Sequence, residues 1–354
     1  MSGDNKASVL TPYIIPPGMR KGVNIGDGFI LHAIERRIGA FAPGHCFTTR
    51  EVPSAAARAV IAGSSALVIA GANQLTDDYS IWPGLRAEEL AAGSLRVVPF
   101  GVGLYGRAER NQGFSANTEA ILRLIHQRIE FSSWRCPRTV ALLERLLPDL
   151  AGRFLMTGCP VLYDRPLLDG IRFHEGEDRI AVTITDQGDF LTRETRVLDF
   201  VARRFPSARR FLVLHQPMGQ PKPLHRLVDV LPGLRHLGHP RPRLLRAARR
   251  LGFEIVLPGT AAAGIEFYRG MDLHIGSRLH AHLHMLSQNR RSFLVPVDGR
   301  STGFADFLGF PLSRPDTLDR DMDFDFESLR SKARQHFGTM QAFTDSLKRQ
   351  GIPA

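Results

Sequence analysis

The sequence predicts an α/β protein of two Rossmann-like, doubly wound domains that face each other across a cleft. Three observations predict it. Short apolar runs end at glycine-rich turns and alternate with segments of helical spacing, the pattern of parallel βα units. At 354 residues the chain is longer than one typical core of about 150–200 residues. The strand–turn–helix pattern also begins afresh after a polar stretch near the middle.

In the first half, helical spacing covers Gly28 to Ile38. SALVIA, Ser65 to Ala70, reads as a strand that stops at Gly71-Ala72-Asn73. LRVVPF, Leu95 to Phe100, reads as a strand that stops at Gly101, and a helix follows over Asn117 to Ile129. Arg165 to Asp178 is polar and strand-free, with Pro166, Gly170 and Gly176, and reads as the interdomain linker. The expected domains are therefore residues 1–165 and 166–354. In the second, RIAVTIT (Arg179 to Thr185) is a buried strand, Arg193 to Phe205 a helix and Arg210 to Leu214 a strand. A proline-rich loop, HQPMGQPKP, leads to a helix from Pro242 to Leu251. Strands at Phe253 to Leu257, Met271 to Ile275 and Ser292 to Val297 alternate with helices. A last helix within 326–349 is expected to pack back on the first domain.

Composition narrows the class. The chain is 43% hydrophobic and 23% charged, without low-complexity tracts, which excludes a disordered protein. No apolar run approaches the roughly 18–20 residues of a membrane span. The opening MSGDNKASVL is polar where a signal peptide is basic and then apolar, so a cytoplasmic protein is expected. Cys46, Cys136 and Cys159 lie far apart with no CxxC, which argues against a disulfide framework and for buried structural thiols. The net charge of +11 favours an anionic partner. It is spread over arginine pairs such as Arg203-Arg204 and Arg249-Arg250, with no basic tail and no RNP-like strand. Nucleic acid is therefore not expected. Peripheral contact with an anionic membrane at its inner face is, with plain solvated helix surfaces as the alternative.

Chemistry is expected just after the strands, where open α/β sheets bind ligands. In VNIGDG, Gly26 and Gly28 allow close backbone approach, Asn24 offers an amide, and Asp27 is either a helix cap or a base at the cleft. GVGLYG, Gly101 to Gly106, matches GxGxxG but lacks an acid at the end of a following strand, so a dinucleotide is not expected. It reads as a turn that brings backbone close to a ligand or a neighbouring loop. GSRLHAHLHML, Gly276 to Leu286, is the densest segment. Leu279, Leu283 and Leu286 form a core stripe, with His280 and His284 on one flank and His282 on the other. Ala281 stands where an HExxH zinc site has glutamate, so no metal is expected. Behind the turn Gly276-Ser277, a helix N-terminus and the fork of Arg278 make an anion site. His280 can exchange a proton with the same ligand near neutral pH. His282 and His284 read as core or surface residues. In VPVDGR, Asp298 and Arg300 fall on the next cleft-facing loop.

These residues resemble the polysaccharide pyruvyl transferase family. The similarity rests on Asn24-Ile-Gly-Asp27, on the turn Gly71-Ala72-Asn73, and on Asp272-Leu-His-Ile-Gly-Ser-Arg278-Leu-His280-Ala281 followed by the loop at Asp298. It runs over residues 20–312. The resemblance implies a GT-B-like fold, with the first domain on the acceptor side and the second on the donor side. It implies transfer of a pyruvyl group from phosphoenolpyruvate to a sugar, as a ketal or another linkage, in exopolysaccharide or cell-surface glycan synthesis. Arg278 and His280 would contact the donor, with no cofactor beyond it, and the acceptor would be a sugar or lipid-linked oligosaccharide. The sequence departs from the family at two places. An R-D pair is Arg135-Cys136 here, and Thr185-Asp186-Gln187 stands where an arginine is common. Arg193 or Arg300 is then expected to supply the second donor-binding arginine.

On this reading His280 protonates the vinyl carbon and Asp27 takes a proton from the sugar hydroxyl. Gly26, Asn24, Gly71, Asn73, Gly276, Ser277, Asp298 and Arg300 complete the binding set. Two rivals remain. A nucleotide-sugar glycosyltransferase of the same architecture would need a ribose-binding glutamate, for which Glu266 is the nearby candidate. The other is a non-catalytic basic scaffold on a membrane or an acidic polymer.

Overall fold

A computed structural model describes residues 6–15, 23–105, 113–185, 188–217 and 240–352. Strands β1 (Ser8–Thr11), β2 (Cys46–Thr48), β3 (Leu67–Ala70) and β5 (Val97–Phe100) form a parallel sheet in the order β2-β1-β3-β5. Short strands β4 (Asn73–Leu75) and β6 (Gly103–Leu104) pair beyond its carboxyl end. Strands β7 (Ser132–Trp134) and β8 (Phe154–Met156) continue past β5, since Gly101 N donates to Ser133 O at 3.0 Å and Val102 bridges Trp134. The helices of this half are α1 (Ile25–Ile38), α2 (Ala55–Ala62), α3 (Ala87–Ala92), α4 (Ala116–Arg128) and α5 (Pro137–Leu146). A short α6 (Arg165–Asp169) interrupts the stretch expected to be linker.

The second sheet is also parallel. Strands β9 (Arg179–Thr183), β10 (Arg209–Val213), β11 (Glu254–Val256), β12 (Leu273–Gly276) and β13 (Arg291–Leu294) run in the order β11-β10-β9-β12-β13. That is the Rossmann order, with its reversal between β9 and β12. Its helices are α7 (Leu191–Arg204), α8 (Pro240–Arg250), α9 (Ala261–Arg269), α10 (Leu279–Ser287) and α11 (Gly299–Leu308). A turn of helix, α12 (Leu318–Asp321), leads to the long α13 (Ser328–Arg349). The architecture is therefore the expected pair of doubly wound α/β units. No helix among the described residues is long and apolar enough to cross a membrane.

Four strands of the first sheet were not anticipated, and their side chains explain why. In β1, Ser8 is fully buried and its hydroxyl meets His45 Nδ1 at 3.0 Å and Ser64 Oγ at 2.7 Å. In β7, Ser132 Oγ meets His126 Nε2 at 2.9 Å and accepts from Trp134 Nε1 at 2.7 Å, while Ser133 Oγ meets Thr157 Oγ1 at 2.5 Å. A buried hydroxyl is tolerated when it is hydrogen-bonded. Such strands carry no apolar run to read. Strands β2 and β8 are three residues each, too short for one.

The two units meet through α1, which packs on α9 and α10. The approach is close because glycines face it. A Cβ on Gly28 would come within 2.5 Å of Ala261 Cβ, and one on Gly264 within 2.9 Å of Ile25 Cδ1. Phe29 fills the seam, its ring centroid 5.9 Å from His215, 6.1 Å from Tyr268 and 5.6 Å from His284. Burying such a ring contributes about 1.5–3 kcal/mol. Ile25 N donates to His215 O at 3.0 Å, and Ala261 N to Tyr13 Oη at 3.0 Å. Helix α13 returns to the first sheet: Phe343 stacks edge-on against Phe100 at 5.0 Å, and Arg96 Nη1 donates to Gln350 O at 2.7 Å.

Candidate active site

Ligands in open parallel sheets bind beyond the carboxyl ends, where strand order reverses. In the second sheet that point lies between β9 and β12, and the turn Gly276-Ser277-Arg278 occupies it. Gly276 has φ of +156°, and a Cβ there would lie 2.3 Å from Thr183 O, so only glycine lets β12 close on the end of β9. Thr183 then fixes the turn. Its carbonyl accepts from Ser277 N at 3.0 Å and its hydroxyl from Arg278 N at 3.1 Å. Arg278 is the half-buried N-cap of α10, and its Nε donates to Ile184 O at 2.7 Å. Ser277 Oγ donates to Glu194 Oε1 at 3.3 Å, so this hydroxyl serves the wall of the turn.

His280 lies two residues on, in the first turn of α10, and is 6% exposed. Every residue of α10 is buried, so the helix is enclosed on all sides and not amphipathic as its sequence suggested. A Cβ on Gly26 would lie 2.9 Å from His280 Nδ1. The Asn24–Asp27 turn and the Arg278–His280 turn, far apart in sequence, are thus in contact across the two units. Asn24 caps α1, its Oδ1 accepting from Gly26 N at 3.1 Å. Asp27 sits in the first turn of α1, with Arg50 Nη2 3.9 Å from its carboxylate. Nε2 of His280 is buried and has no hydrogen-bond partner. Burial, then the charges of Arg135, Arg300 and Arg278, drive its pKa well below the ordinary 6.5. The sequence reading took His280 as a ready proton donor. In the free protein it is neutral.

Arg135 is the residue the sequence reading passed over, because Cys136 replaces the aspartate expected after it. It follows β7 directly with 2% exposure, and its guanidinium lies against Gly103, where a Cβ would come within 2.4 Å of Nη2. Its Nε and Nη1 are buried without any partner. Leaving buried donors of a charged group unsatisfied is costly, about 1–3 kcal/mol or more. The signal was an arginine between a buried strand and a proline-led helix.

Beside it, Asn73 pairs with Gly103 in the β4–β6 ladder, and Asn73 Oδ1 is buried with no partner. Gly71 turns the chain there with φ of +53°, under Ile30, and Ala72 follows at +61°. Across the seam, Arg300 Nε donates to both oxygens of Asp298, at 2.9 and 2.8 Å, and Asp298 caps α11. Burial pushes the Asp298 carboxyl up, but Arg300 and the charge of Arg135 hold it below its ordinary value. Asp298 thus orients Arg300.

Other expected residues stand elsewhere. Arg193 lies over the Phe190 ring at 4.1 Å and donates through Nη1 to Pro296 O, while its Nε and Nη2 are buried without partners. His282 is a core residue with Nδ1 2.8 Å from Ser292 Oγ, and His284 belongs to the Phe29 seam. Cys136 and Cys159 are buried and Cys46 half-buried; burial lifts the Cys159 thiol to about 11. Glu266 is an exposed surface acid paired with Arg269 at 3.2 Å. Gly106, Asp186, Gln187 and most of the proline-rich loop lie outside the described residues. Among the described residues no three His, Cys, Asp or Glu side chains converge as metal ligands.

No curated protein matches the sequence significantly. Solved structures with distant likeness include an E. coli trehalose-6-phosphate structure bound with UDP-2-fluoro glucose, at 12% identity and a TM-score of 0.43, covering 98% of this chain and 97% of that one. A variant of the wall teichoic acid polymerase TagF has 12% identity and a TM-score of 0.43, over 99% and 87%. Anabaena HepE in complex with UDP and glucose has 12% identity and a TM-score of 0.42, over 97% and 100%. Likeness this distant fixes no ligand. The family model for polysaccharide pyruvyl transferase matches residues 24–298, most of the chain and every residue of the turns just described up to Asp298. The chain belongs to the polysaccharide pyruvyl transferase family, and it is a transferase.

Proposed function

We propose that the protein transfers the pyruvyl group of phosphoenolpyruvate to a pair of sugar hydroxyls, forming a cyclic ketal on a cell-surface or exported glycan. The observation that carries this reading is Arg135, a buried guanidinium with two unpartnered donors, within charge range of His280, Arg300 and Asp298, while Arg278 also acts on His280. Such a cluster calls for a small ligand with more than one negative group. Phosphoenolpyruvate has two, a carboxylate and a phosphate.

The steps follow from the residues. The anion neutralises the arginines, which removes the repulsion on His280, so the imidazole gains a proton. His280 then delivers that proton to the vinyl CH₂, and C2 becomes cationic. A sugar hydroxyl attacks C2, its proton passing to Asp27. The C2–O bond to phosphate breaks, phosphate leaves, and the second hydroxyl closes the ring with loss of its proton. Asn73 Oδ1 accepts a hydrogen bond from the acceptor hydroxyl, which would fill its missing partner. Each positioned proton transfer contributes about 10²–10⁴ in rate.

Phosphate release from phosphoenolpyruvate with a panel of sugar and lipid-linked acceptors tests the reading. The wild type is expected to release phosphate with at least one acceptor, and His280→Ala to lose at least about 100-fold with its fold intact. Near-normal turnover by that variant would remove His280 from the acid role. A thermal shift with sugar nucleotides and none with phosphoenolpyruvate would overturn the donor assignment.

A further inference from the structure

We infer that the outer surface of helices α7 and α8 is a docking face for an anionic lipid bilayer. The connections β9–α7–β10 and β10–α8–β11 step the same way along the sheet, so right-handed crossovers place both helices on one face. Helices α9 and α10 serve steps in the opposite sense, lie on the other face, and pack against α1. The α7–α8 layer is thus turned away from the first unit and the seam.

The two helices pack side by side and bury apolar stripes, Val197, Leu198 and Val201 on α7 and Leu244, Leu245 and Ala248 on α8. What remains outward is cationic. Helix α8 reads PRPRLLRAARR, with no acid at all. Arg243, Arg246 and Arg250 fall on one stripe of it, with Arg249 alongside, and Arg196 is exposed on α7. None of these five has an ion pair or a side-chain hydrogen bond among the described residues. The neighbouring acids are taken: Asp199 pairs with Arg203 at 2.9 Å, Glu254 with Arg209 at 3.0 Å, and Asp319 with Arg204 at 3.7 Å.

A fixed small ligand would need convergent donors in a cavity, and single-stranded nucleic acid would use aromatic platforms for base stacking. Helix α8 has no aromatic side chain. A row of splayed arginines on a convex helix fits a surface of many delocalised phosphates. Its apolar side chains face inward, so contact is electrostatic and stays at the headgroups. The inference is independent of the donor assignment.

Cosedimentation tests it. The full-length protein is mixed with phosphatidylcholine vesicles, alone or with about one-third phosphatidylglycerol, from about 0.05 to about 0.5 M salt. The wild type is expected to bind only the anionic vesicles and to release at high salt. Each Arg→Gln change among Arg196, Arg243, Arg246, Arg249 and Arg250 is expected to weaken partition about fivefold. The combined variant should lose binding while keeping its circular dichroism and melting profile. Equal partition to both vesicle types, wild-type binding by the combined variant, or capture of soluble DNA or acidic polysaccharide without vesicle binding would each overturn the inference.

Discussion

Arg135 and His280 carry complementary defects in the free protein. One is a buried guanidinium with two nitrogens lacking hydrogen-bond partners, and the other is a base kept from its proton. On the proposed reading, a bound trianion would repair both. Linkage gives the sign: the pKa of His280 is below 6.5 when free and is raised by the ligand, so donor binding takes up a proton between the two values. From about pH 7 to 8, where a phosphate is already ionised, the Kd for phosphoenolpyruvate should rise up to about tenfold. In His280→Gln the same plot should be flat. Titration calorimetry in buffers of differing ionisation enthalpy reads the proton directly, and equal slopes for both proteins would contradict the coupling. Neither defect could be read from the residues alone. The sequence marked Arg278 and His280 as an anion and proton site through their place after a strand. It did not show that Arg135 approaches from the other unit, because that requires knowing that β7 joins the first sheet and that its end faces the seam.

At the scale of elements, the site depends on how near α1 stands to α9 and α10. Gly28→Ala would drive a methyl to 2.5 Å from Ala261 Cβ and 2.7 Å from the Tyr13 ring. A loss of about 1–3 kcal/mol in denaturant unfolding is expected. An unchanged midpoint would mean that the seam is looser than drawn. Gly26→Ala differs in kind. Alanine favours a helix by about 1 kcal/mol over glycine, but its methyl would reach 2.9 Å from His280 Nδ1. Activity should fall at least tenfold while stability holds or rises; parallel changes in both would assign Gly26 a folding role only. Strands with apolar runs, such as β3, β5, β9 and β10, were legible from the sequence. Strands β1 and β7 were not, since serine hydroxyls satisfied inside the sheet replace the apolar signal. Helix α10 was legible as a helix, but its depth was not: histidines on its flanks look polar until the seam encloses them.

For the whole molecule, six histidines among the described residues are buried in the neutral form. Burial holds His126 and His274 down to about 3 and His284 to about 4, and keeps His215, His280 and His282 well below 6.5. The unfolded chain binds protons at these sites as pH falls below 6.5, and the folded chain does not. Stability is therefore full above that pH and is lost going down, by up to about 1.4 kcal/mol per unit for each site. The upper bound on the cumulative loss by about pH 5 is about 12 kcal/mol, comparable with the whole of a typical 5–15 kcal/mol. Urea unfolding across that range checks it, and a flat profile would contradict the burial of these rings.

The most direct test of the anion pocket is calorimetric titration of phosphoenolpyruvate into the wild type and Arg135→Met at neutral pH. One site is expected in the wild type. The variant should lose at least about tenfold in affinity, as for a hydrogen bond to a charged group, yet melt at the same temperature or higher, because two buried nitrogens without hydrogen-bond partners have been removed. Absence of binding to the wild type, or equal affinity in the two proteins, would contradict the account.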